Sequence, residues 1–193
     1  MEFTEILRKR RMVRSFEDRP LPATVVERIL SAGLRSPSAG FTQGVDLVVL
    51  SGSVETARYW DATLDERDRE SFPWPGLLRA PLLVVVLSSE ELYRRRYAEP
   101  DKGPTTDFQV PWWYVDAAFA ALLLQLAAVD AGLGALFFQS HRVPALRRAL
   151  RIPDSHAPVG TVAVGHPATD RPSSSVTTRR RRTVDEVVHF GHW

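Results

Sequence analysis

The feature that most limits the fold is a long apolar stretch. Residues 117–129 are apolar at every position but Gln125, and the wider stretch 114–131 is largely apolar. A helix with so little polar surface must be covered on most sides, so this one is expected at the centre of a large core or at a subunit interface. It is shorter than the ~20 residues that span a bilayer, so it reads as a buried helix and not as a membrane anchor. Gly132-Leu133-Gly134 ends it, since glycine readily takes the left-handed conformation just past a helix. A short strand over 135–138 follows.

Such a helix needs a sheet to lie on. Residues 45–50 and 159–164 are β-rich runs, and 82–87 is uninterruptedly apolar behind Pro81, as in a strand covered on both faces. Helices are predicted over 3–11, weakly, from Phe3, Ile6 and Leu7, and over 21–34, where Val25, Val26, Ile29, Leu30 and Leu34 recur at helical spacing behind Pro22. A polar surface helix is predicted over 54–70 and a short basic one over 143–150. There is no internal repeat. With 193 residues, 44% of them hydrophobic, the chain can bury one sizeable core and is read as one domain over 1–193. Helices interleaved among four or so strands argue α+β or α/β with a mixed sheet.

Two segments stand outside that core. Residues 90–111 are charged, contain Pro100, Gly103 and Pro104, and lead into Phe108, Trp112, Trp113 and Tyr114, so about 90–113 reads as a lid-like insertion. Residues 170–178 form a Pro/Ser/Thr-rich linker into a C-terminal extension, 170–193, whose Val184, Val187, Val188, Phe190 and Trp193 make it apolar enough to require a surface to dock on.

What is missing narrows the chemistry. There is no cysteine, which excludes a disulfide framework, a thiolate metal site, a redox dithiol and a cysteine nucleophile. The phosphate-binding glycine motifs, the zinc-protease motif and the nucleophile elbow are all missing. The five histidines lack ligand spacing apart from the loose pair His189 and His192, so no metal is expected. The basic N-terminus has no apolar run behind it, unlike a secretory signal, and a cytoplasmic protein is expected. Of the 25 basic residues only Lys9 and Lys102 are lysine, the net charge is +2, and the arginines gather at 8–14 and 179–182. Local anion binding fits that distribution better than a nucleic-acid surface.

Three segments carry a resemblance: Arg10-Arg11-Met12-Val13-Arg14-Ser15-Phe16, Pro37-Ser38-Ala39-Gly40-Phe41-Thr42-Gln43, and Arg179-Arg180-Arg181-Arg182 running into the tail at Val188. Between them lie the long helix with its Gly-Leu-Gly end and a strand through Pro158 to Pro167. In this order they resemble the FMN-dependent nitroreductases, which open with an R-R-S-x-R-x-F-like segment, continue with P-S-[AS]-x-N-x-Q and end in a basic pair before an acidic, valine-rich tail. The match spans nearly the whole chain; it is the series, not any single piece, that is specific.

The resemblance implies an α+β fold with a mixed, mainly antiparallel sheet of four to five strands flanked by helices, a domain-swapped C-terminal tail and a homodimer. It implies FMN held by Arg10, Arg11 and Arg14 at its phosphate and ring edge, with Arg179 and Arg181 completing the phosphate site; arginine's planar fork suits phosphate. Pro37, Ser38, Ala39 and Gln43 would line the flavin from the second subunit. Phe138, Gln139 and Ser140 would bring a backbone N–H to flavin N5, leaving no side chain as nucleophile or general acid. NADH or NADPH would reduce the flavin and a nitroaromatic, quinone or free flavin would reoxidise it by ping-pong turnover; apart from the resemblance, Phe108 and Trp112 of the aromatic cluster are the side chains expected to contact the acceptor. Met12 replaces the family's serine and Phe41 its common asparagine, which implies weaker FMN binding or a more apolar acceptor pocket. Other readings the resemblance leaves open are a non-catalytic flavin-sequestering protein and a relative specialised in reductive dehalogenation or flavin destruction. No partnership with nucleic acid or membrane is expected.

Overall fold

The computed structural model describes residues 1–102, 108–169 and 177–193. In chain order the elements are α1 (Phe3–Lys9), α2 (Ala23–Gly33), β1 (Val45–Ser51), α3 (Ser53–Thr63), α4 (Glu66–Glu70), β2 (Leu82–Ser88), α5 (Glu90–Tyr97), α6 (Trp112–Asp130), β3 (Gly134–Phe138), α7 (Val143–Leu150) and β4 (Ala157–Gly165). All four expected strands form one sheet in the order β1-β2-β4-β3, antiparallel at every neighbour. A parallel element enters through the bridge between Met12 and Ala135 on β3. The architecture is α+β.

β2 is buried at every position, and its alternating side chains feed two cores, as the twofold repeat of a strand requires. Leu83, Val85 and Leu87 pack with Tyr59, Trp60 and Leu146, under α3 and α7, whereas Leu82, Val84 and Val86 pack with Ile29, Ala121 and Leu124, under α2 and α6. Each such buried aliphatic side chain contributes roughly 1.5–3 kcal/mol. β4 starts earlier than its apolar run predicts. Pro158 lies within it and the register shifts between Val86 and Leu87, because proline has no N–H for the ladder and is tolerated there at a bulge.

Elsewhere the sequence expectation needs adjustment. The helix predicted over 54–70 is two helices: Leu64 is extended (φ −129°, ψ 125°) and buried, and Asp65 caps α4 by accepting from the Asp68 N–H at 2.8 Å. Within the segment read as lid-like, α5 forms, supported by the ion pairs Glu90–Arg94 and Glu91–Arg95 one turn apart; Gly103 and Pro104 lie outside the described residues, as does most of the linker, residues 170–176. By length and composition α6 could cross a membrane. It packs instead as a core helix, with Ala117, Ala121, Leu124 and Ala128 wholly buried against the sheet and α2. It is not covered all round, however: Trp112, Tyr114, Phe119 and Leu122 form an exposed face. The tail carries a capping box between Thr183 and Glu186; from Arg179 onward its hydrogen bonds stay within the tail among the described residues.

The turn Pro75–Arg79 fixes the N-terminal segment against the sheet. Gly76 O accepts from Phe16 N at 3.1 Å, and a Cβ on Gly76 would lie 2.8 Å from the Ser15 Cα, a backbone atom that cannot turn aside. Gly76→Ala is therefore expected to destabilise the protein by about 1–3 kcal/mol, the usual range for overpacking, read from the midpoint of urea unfolding. An unchanged midpoint would show that segment 10–16 shifts freely.

Candidate functional site

The basic segment is anchored by its apolar residues and presents its charged ones. Val13 and Phe16 are buried. Val13 N donates to Ala135 O at 3.0 Å, Phe16 N to Gly76 O, and Ser15 O accepts from Ala168 N at 2.9 Å. Pinned this way, Arg11 is exposed and Arg10 and Arg14 are half-buried. Arg14 donates to Met12 O at 3.3 Å and its guanidinium lies 5.1 Å over the Trp74 ring, a cation–π contact. It opens onto a cleft of about 310 Å³ that Ser15, Trp74, Gly76 and Arg79 also line. Arg10 Nη1 rests 3.8 Å from Met12 Sδ. Among the described residues, Arg10 and Arg11 face no carboxylate partner.

The bridge from Met12 to Ala135 sets this segment beside β3, whose far end leads into Phe138, Gln139 and Ser140. Phe138 is half-buried and stacked on Trp60 at 5.9 Å with an interplanar angle of 8°. Ser140 is buried, and its Oγ lies 2.9 Å from Thr161 Oγ1, which donates to the Tyr59 hydroxyl at 3.0 Å. Burial pushes the Tyr59 phenol above its usual pKa, and the Thr161 and Ser140 hydroxyls pull it partly back. The Ser140 side chain thus fastens the end of β3 to β4, while Gln139 is exposed.

The 37–43 loop is folded tightly, with Gly40, Phe41 and Gln43 at φ 63°, 55° and 53°. Left-handed backbone suits glycine and asparagine and strains a bulky side chain. Phe41 therefore occupies a position whose conformation favours glycine or asparagine over an aromatic residue, and it is 76% exposed. Ser38 Oγ accepts from Gln43 N at 3.1 Å, and Pro37 and Gln43 are exposed. The loop is held from outside by Asp116 of α6, whose Oδ2 accepts from Ala39 N at 2.8 Å, and by Arg96 of α5, whose Nε donates to Gly40 O at 2.8 Å. Among the described residues no hydrogen bond or ion pair joins this loop to Arg10, Arg11 or residues 138–140.

Phe108 sits edge-on to Tyr97 and Trp113, at 5.1 and 5.7 Å. Trp112 is exposed at the start of α6, and its neighbour Trp113 is core. In the tail the four arginines divide in two. Arg180 pairs with the Glu186 carboxylate, which it holds down at about 2, and Arg182 donates to Glu186 O. The Arg179 and Arg181 side chains are exposed with no partner among the described residues. One chain thus ties segment 10–14 to the start of β3 through Met12 and Ala135 and holds 138–140 at the other end of the same strand, with the loop fastened to α5 and α6 and the tail folded on itself. Sequence reading missed Trp74, Tyr93 and Asp116, and it considered Arg96 only as one of three lid-side arginines, not as a partner of the 37–43 loop. For Asp116 a signal existed, a carboxylate in a largely apolar helical run; for Trp74 and Tyr93 the sequence offers none.

Residues 7–166 match the sequence model of the Nitroreductase family. A Staphylococcus aureus protein named NADPH-dependent oxidoreductase is 28% identical over 198 residues, covering 97% of this chain and 72% of its own. Among solved structures, a nitroreductase family protein of Clostridium difficile 630 superposes with a TM-score of 0.74 at 19% identity over the full length of both chains. An FMN-dependent nitroreductase of Clostridium difficile R20291 superposes with a TM-score of 0.71 at 20% identity, over 99% of this chain and 100% of the other. With the sheet order, the anchored basic segment and a match over most of its length in agreement, the chain belongs to the nitroreductase family.

Proposed function

We propose that residues 1–193 act as one FMN-binding domain of a cytoplasmic homodimer, and that the enzyme passes electrons from NADH or NADPH to a small conjugated acceptor by ping-pong turnover in one slot. The observation that carries this reading is the segment 10–16, clamped through Val13 and Phe16 so that the stretch bearing Arg10, Arg11 and Arg14 is held against the start of β3.

These residues fit a flavin mononucleotide. Arg10 and Arg11 are cations without a carboxylate partner among the described residues, and the Arg14–Trp74 cleft combines a charged fork with an aromatic wall, as a phosphate and a flat heterocycle require. Arg179 and Arg181 join the phosphate site from the tail. Gln139 and the backbone of 138–140 orient the ring edge, and Met12 offers it a thioether where relatives have a hydroxyl. The chemistry the flavin supplies when bound is two-electron exchange, first with the nicotinamide and then with the acceptor. Phe108 and Trp112 give a flat acceptor an aromatic surface and exclude water from its face.

Dimerisation accounts for what one chain leaves open. The exposed apolar face of α6, the exposed ring of Phe41 and a tail whose Phe190 and Trp193 are 87% and 97% exposed are surfaces that water penalises. A second subunit that covers them also brings its 37–43 loop, with Pro37, Ser38, Ala39 and Gln43, to the flavin, and exchanges the tail. The test is an absorption spectrum of FMN-incubated, desalted protein followed by anaerobic NADH and then NADPH. A retained band near ~450 nm that bleaches is expected, and the nucleotide that bleaches it names the donor. A retained band that neither nucleotide bleaches would replace the reductase reading with sequestration, and no band would overturn it.

A further inference from the structure

Four contacts between the 37–44 region and the lid-side helices converge on a few atoms. Asp116 is 2% exposed in the apolar α6, and its Oδ2 alone accepts both from Ala39 N at 2.8 Å and from the Tyr93 hydroxyl at 2.6 Å. Tyr93 is wholly buried on α5, and a Cβ on Gly44, just past the loop, would lie 2.5 Å from its ring. Arg96, nearly one turn further along α5, donates Nε to Gly40 O while Asp101 and Glu99 hold its Nη atoms. A Cβ on Gly40 would meet the Tyr97 ring at 3.0 Å. The same helix carries Tyr97 against Phe108 at 5.1 Å and Arg94 over the Phe108 ring at 5.9 Å.

A buried carboxylate is expensive unless its acceptors are filled by donors. The packing of α6 on the sheet gives no reason for one, since the α6 residues in that core, Ala117, Ala121 and Leu124, are apolar. What the carboxylate does is join three separate pieces of chain at one oxygen. Burial, and then the bond to Asp116, push the Tyr93 phenol far above its usual pKa, so it remains a donor throughout the neutral range.

We propose that Asp116 is a positioning residue that locks the 37–43 loop and α5 into one body, so that the cofactor-facing loop and the aromatic acceptor wall at Phe108 keep a fixed register. The inference rests on the reading that this loop lines the flavin. Both bonds end on the same oxygen, so an amide oxygen in that place can accept both and an apolar side chain neither.

The experiment compares Asp116→Leu, Asp116→Asn and Arg96→Gln with the wild-type holoenzyme. Flavin affinity is read from quenching of FMN fluorescence on titration of apoprotein, and KM and kcat for a nitroaromatic acceptor are read at saturating FMN. Asp116→Leu is expected to raise the FMN Kd about 10- to 100-fold, the scale of one to two buried hydrogen bonds, and the acceptor KM about 5- to 10-fold, with kcat within about twofold. Asp116→Asn restores both to within about threefold, and Arg96→Gln, on the surface side of the clamp, raises both about 3- to 10-fold. If Asp116→Leu does not fold, as circular dichroism will show, Arg96→Gln and Asp116→Asn still decide. A folded Asp116→Leu or Arg96→Gln with wild-type Kd and KM overturns the inference, and so does an Asp116→Asn as impaired as the leucine variant. Wild-type protein that binds no FMN overturns the flavin reading itself, and this inference with it.

Discussion

Replacing Arg179 and Arg181 together by glutamine is expected to weaken FMN binding by about 100-fold or more, whereas Arg180→Gln leaves it within about threefold. The asymmetry follows from how the tail uses its four adjacent cations. Arg180 and Arg182 are occupied by Glu186, while the Arg179 and Arg181 side chains are exposed and have no partner among the described residues. A charge-assisted hydrogen bond to phosphate is worth about 1.5–3 kcal/mol, and two at the lower end give ~3 kcal/mol, or about two orders of magnitude. The Arg180–Glu186 pair does not titrate in the working range. Arg180 depresses the Glu186 carboxyl to about 2 from an ordinary 4.5, so what that pair contributes is complete above about pH 4.5 and fades only as pH falls towards 2. The titration is run at fixed ionic strength, since the affinity should fall as salt rises. Equal losses from all four arginines would mean that net charge, not a phosphate site, draws the ligand.

The parts of the fold legible in the sequence are those where burial dictates composition. β2, covered on both faces, reads as an unbroken apolar run, and α2 shows a one-sided stripe because only one face meets the sheet. α5 was hidden because it has almost no apolar face; its charges pair along the helix, which periodicity of hydrophobic residues does not detect. The break between α3 and α4 was hidden for a similar reason, in a segment too polar for a stripe, although Asp65 three residues before Asp68 is a cap in retrospect. At the site, the arginine clusters were visible as residue types, but the device that presents the first of them, Val13 and Phe16 buried on either side of Arg14, was not. The Asp116 clamp joins positions 77 and 23 residues apart, and no local pattern reports such a contact. Phe41 shows the limit from the other side: the residue was legible, but that its backbone is left-handed, a conformation better suited to asparagine, was not.

Phe119→Asp combined with Leu122→Asp should convert the protein to a monomer that no longer retains FMN. These two side chains are 42% and 45% exposed and lie three residues apart on α6, beside Tyr114, so they share one face of the helix. An obligate homodimer buries on the order of 2,000 Å² or more, with an apolar centre. This face, the exposed Phe3 and Leu7 of α1, and the apolar tail supply surface of that kind. Two carboxylates in such a centre, doubled by the symmetry of a dimer, carry a desolvation penalty of several kcal/mol per unpaired charge, more than most interfaces can absorb. In an isolated chain the same aspartates stand in water, so folding should survive, with the unfolding midpoint measured as a control. Light scattering should show the mass halved, and the desalted variant should lose its flavin band, because in the proposed arrangement the 37–43 loop reaches the cofactor from the other subunit. A variant that stays dimeric with FMN bound would move the interface away from α6. A monomer that keeps FMN would place the whole flavin site within one chain, and the loop, together with the Asp116 clamp that holds it, would need another role.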